Sequence, residues 1–252
     1  MTGIFAEMRV TECDADFWIN DIPVWRMLHR EAVFQGIPVH EFLVDGTNTL
    51  RVTLVGAQPT AAQAAMTVSQ YPAGARLGQG AGRLLGAVDL RTPGANNQPV
   101  IVAESSFSAS LPLRWSWQDL PVVDWAAPNA RAAVEQFLQE FARRLQASDR
   151  DWLVHVFEPR MADYCRAYGL DLQAELAEMD MRIARRRADS AFVVRPVTVA
   201  DLALRPCAAG QLVECLLLTG EPAIRWTDSR LGPNGAWNVK LGAGKTGLRC
   251  YR

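Results

Sequence analysis

Phe17-Trp18-Ile19-Asn20-Asp21-Ile22-Pro23-Val24, followed after a short interval by Val39-His40-Glu41-Phe42-Leu43-Val44-Asp45-Gly46-Thr47-Asn48-Thr49-Leu50-Arg51-Val52, decides the fold of the first half of this chain. The first stretch reads as a strand running into a turn. The second closes a layer, turns at Asp45-Gly46 and leaves as an alternating strand with Leu50, Val52 and Leu54 on one face. Such a pair describes a β-sandwich built for display rather than an enzyme arranged around a nucleophile.

Outward from there, strand and turn signals fill the chain from Phe5 to about Asp124. Leu84 to Leu90 and Pro99 to Glu104 are strand-like runs bounded by Gly, Pro and Asn, Ala64 to Ser69 is ambiguous, and Ser105 to Trp117 alternates with its odd positions on one face. Tyr71-Pro72-Ala73-Gly74 reads as a turn and Arg91 to Gln98 as a loop. Asp119 to Pro128 is the expected linker, with Pro128 suited to the first position of a helix. Val134, Phe137, Leu138, Phe141 and Leu145 then recur at helical spacing over about five turns. Asp149 opens a shorter helix that Pro159 interrupts, Met161 to Tyr168 forms another piece ending at Gly169, and Leu172, Leu176, Met179 and Ile183 mark a further helix. Arg182, Arg185, Arg186 and Arg187 load its last turns, where cations complement the helix dipole. After Asp189 the period returns to two, with turns expected at Ala209-Gly210, Thr219-Gly220, Gly232-Pro233-Asn234-Gly235 and Gly242-Ala243-Gly244. Helices followed by a meander predict helices on one side of a curved antiparallel sheet. Two domains are expected, residues 1–124 and 128–252.

The chain has 252 residues, 49% of them apolar, enough for one large core or two ordinary ones. Up to Trp125 there are 8 basic and 12 acidic residues, and after it 18 and 15, so neither half carries the one-sided charge of a nucleic-acid binder. Lys240 and Lys245 are the only lysines, which reads as codon bias in a GC-rich genome before it reads as phosphate recognition. The start lacks an apolar run suited to a signal peptide and no segment has the length to span a bilayer, so a cytoplasmic protein is expected. The cysteines, Cys13, Cys165, Cys207, Cys215 and Cys250, are odd in number and lack a C-x-x-C pair, as reduced thiols would be. Cys207 and Cys215 flank the expected Ala209-Gly210 hairpin, but their offsets do not place them opposite one another.

Two resemblances follow from these stretches. Leu43-Val44-Asp45-Gly46-Thr47-Asn48-Thr49-Leu50-Arg51-Val52, after a strand and a turn containing Asn20, resembles the galactose-binding-like jelly rolls attached to many glycoside hydrolases. Locally, Gly46 permits a positive φ, Asn48 can bond backbone groups across the turn, and Leu50 and Val52 face a core. The order of elements from Phe137 to Phe157, with a break at Gln146-Ala147-Ser148-Asp149, resembles the NTF2-like α+β cones. That family includes enzymes, accessory domains and interaction modules, and cone-type pairing through the open sheet face implies a route to a homodimer. Neither resemblance carries over a catalytic residue set.

Gly242-Ala243-Gly244-Lys245-Thr246 imitates the end of a phosphate-binding loop, but Val239 stands where the first Gly belongs and too little chain follows for the required helix. A turn between terminal strands is the expected structure. Gly78-Gln79-Gly80-Ala81-Gly82 lacks dinucleotide spacing, since Arg83 occupies the place of the last Gly. His29, His40 and His155 are the only histidines and none has a ligand partner at helical or hairpin spacing, so no metal and no cofactor are expected. Ser105, Ser106, Ser108 and Ser110 form no nucleophile elbow. Asp151 and His155, four apart with Tyr164 downstream, are the best acid–base candidates, against an ordinary surface ion pair. Among eight tryptophans, Trp18 and Trp25 flank the first turn, and with Arg26 and His29 they form the candidate binding surface, for a sugar ring or a protein interface.

The expectation is a jelly-roll-like sandwich followed by an NTF2-like cone, acting as a non-catalytic module that recognises another protein, in a bacterial setting a toxin-neutralising or secretion-accessory protein. Carbohydrate binding through the first domain and a small-molecule enzyme in the cone pocket are the alternatives. No nucleic-acid and no membrane partner is expected.

Overall fold

The structure, a computed structural model, describes residues 3–29, 33–55, 62–72, 82–92, 100–111 and 113–252. Among these residues the fold is mixed, with four antiparallel sheets and three α-helices, the helices all in the C-terminal part. By contacts the chain divides into two compact units, Met1–Arg114 and Trp115–Arg252. The stretches Ala73-Gly74, Gly78 to Ala81 and Pro93 to Gln98, for which a turn, a Gly-rich turn and a loop are expected, lie outside the described residues.

In the first unit β1 (Gly3–Thr11), β2 (Cys13–Ile19), β3 (Ile22–His29), β4 (Val33–Pro38), β5 (Gly46–Val55), β6 (Gln63–Tyr71), β7 (Arg83–Arg91) and β8 (Val100–Ala109) form two sheets, ordered β4-β1-β6-β7 and β3-β2-β5-β8. Alternation does the sorting: Ile4, Ala6, Met8 and Val10 of β1 meet Phe17 and Ile19 of β2 and Leu50, Val52 and Leu54 of β5 in one core. The ambiguous Ala64–Ser69 stretch is strand β6, and Ala64, Met66 and Val68 enter the same core.

The turns that set this register are polar, and one buried amide, Asn48, joins them. Ile19 pairs with Ile22 across a two-residue hairpin in which Asn20 and Asp21 both take the left-handed conformation, φ 52° and 59°, the geometry that matches strand twist. Gly46 has φ +91° with open space where a Cβ would stand, so its requirement is the backbone angle alone. Fully buried Asn48 then ties the two turns together. Its Oδ1 accepts from Val44 N (2.8 Å) and Asn20 Nδ2 (2.7 Å), and its Nδ2 donates to Val44 O (2.9 Å) and Gly46 O (3.1 Å). Asn20 also donates to Phe42 O and accepts from Thr49 N.

In the second unit the helices α1 (Pro128–Gln146), α2 (Arg150–Tyr168) and α3 (Leu172–Ala188) precede β9 (Val193–Val194), β10 (Leu202–Cys207), β11 (Leu212–Leu217), β12 (Ile224–Asp228), β13 (Gly232–Trp237), β14 (Lys240–Gly244) and β15 (Gly247–Cys250). The sheets are ordered β10-β11-β14-β15 and β13-β12-β9. Pro128 occupies the first turn of α1, Asp149 caps α2 by accepting from Trp152 N, and Asp171 caps α3 by accepting from Ala174 N. Val134, Leu138, Phe141 and Leu145 bury one stripe of α1 against the core of this unit.

Three local expectations differ from the structure. Strand β8 ends at Ala109, and Ser116–Asp119 is a single 3-10 turn, because side chains take the N–H groups a ladder would use: Gln118 Oε1 accepts from Trp115 N, and Asp163 accepts from Ser116 N. Pro159 does not break α2, since buried Leu153, Val156 and Phe157 before it and Cys165 and Ala167 after it anchor one continuous helix. Gly232–Gly235 and Gly242–Gly244 lie within β13 and β14, and the turn falls at Lys245-Thr246 between paired Gly244 and Gly247. Gly235 is there because the Trp226 indole packs where its Cβ would stand.

Replacing Asn48 by Ala strands buried groups at two turns and is expected to cost about 2–4 kcal/mol in urea denaturation. A loss under about 1 kcal/mol would show that the amide network is not what fixes these turns.

Candidate functional site

In the first unit, β3 is the outer strand of its sheet, and Trp25 on it is 40% exposed. Trp18 is only 8% exposed, since the Arg51 guanidinium lies 4.5 Å from its ring centroid and is itself held by Asp21 (2.5 Å). Arg26 makes a two-pronged pair with buried Asp16, at 2.5 and 2.7 Å. Of the four expected surface residues, Trp25 therefore offers a ring to solvent, Arg26 is engaged along the strand pair, Trp18 is covered, and the His29 side chain lies outside the described part. Phe34 on β4, also an outer strand, is exposed and carries Arg9 at 5.5 Å over its ring.

Asp151, His155 and Tyr164 do not converge. The Asp151 carboxylate is 90% exposed and accepts from Arg150 (2.8 Å). His155 is exposed beside Arg249, whose Nη2 is 3.1 Å from Nε2, while Tyr164 packs on Tyr168 at 4.8 Å. The cause is helical phase: at roughly 100° per residue, nine positions carry Tyr164 about half a turn away from His155. The five cysteines are buried and none is in a disulfide, and Cys207 and Cys215 stand opposite Leu212 and Leu204, not each other. Burial pushes the Cys215 thiol well up and that of Cys250 to about 12. Among the described residues no group of three or more His, Cys, Asp or Glu side chains is placed to hold a metal ion, and no helix is long and apolar enough to cross a membrane.

What sequence reasoning missed is a cleft of about 330 Å³ between α2 and α3. Phe157, Arg160, Met161 and Tyr164 line it from α2, and Met179, Arg182, Ile183 and Arg186 from α3, each set at helical spacing on one face. Reading Pro159 as a break hid the first set. Reading the four C-terminal arginines of α3 as one dipole-complementing group hid the second. Trp237 of β13 also lines it. The Arg186 guanidinium sits 4.8 Å from both the Trp226 and the Trp237 ring centroids, half-buried. Burial lowers its pKa from the usual guanidinium value; nearby Asp228 opposes that shift, and Asp228 itself is occupied by Trp226 Nε1 (2.8 Å) and the Arg230 and Leu231 amides. Among the described residues, neither Arg186 nor Arg160 has a hydrogen-bonded carboxylate or carbonyl partner, whereas Arg182 is bonded to Glu178 (3.0 Å).

Two buried ionic clusters lie elsewhere in the unit. Asp163, fully buried, accepts from Ser116, Arg166 and buried Arg252. Glu214 on β11 accepts from Arg205 and from Asn238 (2.8 Å), with buried Lys240 Nζ at 3.5 Å. Burial raises the Glu214 pKa, but Lys240, Arg205 and Asn238 outweigh it and hold the carboxyl below its ordinary range. The Asp163 cluster joins α2 to the Ser116 turn and Arg252, and the Glu214 cluster joins β10, β11 and β14.

Compared with known protein families, with curated proteins and with solved structures, the chain matches none.

Because the folded pKa of Glu214 is depressed, its contribution is present above the unfolded value of about 4.5 and is lost as pH falls below it. Glu214→Gln, which leaves Lys240 without its counter-charge, is expected to cost about 3–5 kcal/mol at pH 7. The gap between parent and variant should narrow as unfolding is followed from pH 5 towards pH 3; a pH-independent gap would contradict the assignment.

Proposed function

We propose that the protein is a non-catalytic binding module whose partner is another protein, engaged along the β3 edge. The observation that carries this reading is Trp25, a large ring left 40% exposed on the outer strand of a sheet. An outer strand presents a row of backbone donors and acceptors to which an extended segment can add, and an exposed Trp supplies the kind of anchor on which interface energy concentrates. Convergent acid–base groups, which an enzyme would need, find no support at Asp151, His155 and Tyr164, since Asp151 and His155 are exposed on one face of α2 and Tyr164 lies on another.

The finer architecture belongs to the same proposal: an all-β, jelly-roll-like sandwich in the style of galactose-binding domains, then an α+β NTF2-like cone. Its support is the pair of four-stranded sheets over one core in the first unit, and three helices preceding antiparallel strands in the second. A cytoplasmic toxin-neutralising or secretion-accessory role in a bacterium suits such a module, with pairing of two copies as a further mode of assembly.

Immobilised protein should recover the same partner repeatedly from native lysate. A Trp25→Ser variant with an unchanged melting temperature should retain at least about tenfold less of it. Repeated recovery of no partner, or equal recovery by the variant, contradicts the reading.

A further inference from the structure

We propose that the cleft between α2 and α3 binds a small organic monoanion with a flat apolar body, an aromatic carboxylate, whose charge is taken by Arg186 and Arg160 and whose body lies on Trp237 and Phe157. This site is separate from the β3 edge and belongs to the second unit.

The argument begins with Arg186. A guanidinium carries its charge at any accessible pH and presents a planar fork of donors suited to a carboxylate. Here two indole faces at 4.8 Å hold that fork in place. Stacking offsets part of the cost of taking the cation out of water, but indole faces accept no N–H hydrogen bonds comparable to those of a carboxylate. The donors are thus oriented and only partly compensated. Arg160 adds a second cation with no hydrogen-bonded acceptor among the described residues, from the facing side of the same cleft.

The rest of the lining sets the ligand's shape and charge. Phe157, Ile183 and Trp237 are apolar and wide enough for a ring, and Met161 and Met179 supply adaptable walls. A volume of about 330 Å³ is at the small end for organic ligands. Glu175 and Glu178 line the part of the cleft on the early turns of α3, with Glu178 bonded to Arg182. Their carboxylates oppose a second negative charge there, so a monoanion fits better than a dicarboxylate or a phosphate ester.

The test is isothermal titration calorimetry of the full chain with 2-naphthoate, against the neutral 2-naphthalenemethanol. Expected are saturable binding of the carboxylate, at least about tenfold weaker binding of the alcohol, and at least about tenfold weaker carboxylate binding by Arg186→Met and by Arg160→Gln. Arg150→Gln, on α2 but paired with Asp180 away from the cleft, should bind as the parent does. Arg160 is exposed, so its variant keeps the test decisive if Arg186→Met fails to fold. Absence of saturable heat, equal affinity for the alcohol, or parent-like binding by Arg160→Gln overturns the proposal. A Trp25→Ser variant leaves this binding unchanged, which separates it from the partner reading.

Discussion

The second unit converges on one indole. Trp237 meets Phe141 of α1 at 5.8 Å, Phe157 of α2 at 5.1 Å and Trp226 of β12 at 5.4 Å, all near edge-to-face, and carries Arg186 of α3 on its ring. Each such aromatic contact is worth about 0.5–1.5 kcal/mol beyond the area it buries. The larger consequence is geometric. Three helices and a strand share one ring, so none can shift without exposing the others' aromatic surface. Because α3 is attached to this cluster through a cation, its contact with the sheet leaves oriented N–H donors where an aliphatic side chain would have left only hydrocarbon.

The two units solve the problem of buried polarity differently. The first uses neutral amides at its turns, where Asn20 and Asn48 satisfy backbone groups with short, defined partners, beside a single buried carboxylate among the described residues, Asp16, held by Arg26. The second uses charge, with Glu214 and Asp163 each surrounded by donors. Ionic clusters of that kind are strongly destabilised by loss of one partner and contribute less than their geometry suggests when whole. Against that background Arg186 stands out, being inward-facing and stacked rather than paired.

Legibility in the sequence followed the range of the interaction. Gly46, Asn48, Leu50 and Val52 were readable together because the turn, the amide and the alternating face lie within one short stretch. The helix starts at Pro128, Asp149 and Asp171 act within four residues and are equally accessible to local reasoning. What stayed hidden depends on distant chain. Trp18 is covered by Arg51 from a neighbouring strand, Asp163 is closed by Arg252, and Gly235 serves the Trp226 ring rather than a turn. At Arg186 a valid local explanation, the helix dipole, accounted for four arginines alike and so could not single out the one that turns inward.

The two proposed recognition surfaces are unlike in character: a strand edge marked by Trp25, and a cleft in which Arg186 and Arg160, among the described residues, have no hydrogen-bonded carboxylate or carbonyl partner while Arg182 is bonded to Glu178. The central claim is that Arg186, fixed by Trp226 and Trp237, is held ready for an anion. The most direct measurement is the Nε–Hε NMR signal of each arginine during a 2-naphthoate titration. The account predicts saturable shifts concentrated at Arg186 and Arg160, with Arg150 and Arg143 unmoved. Shifts spread evenly over the surface arginines, or an unmoved Arg186, would contradict it.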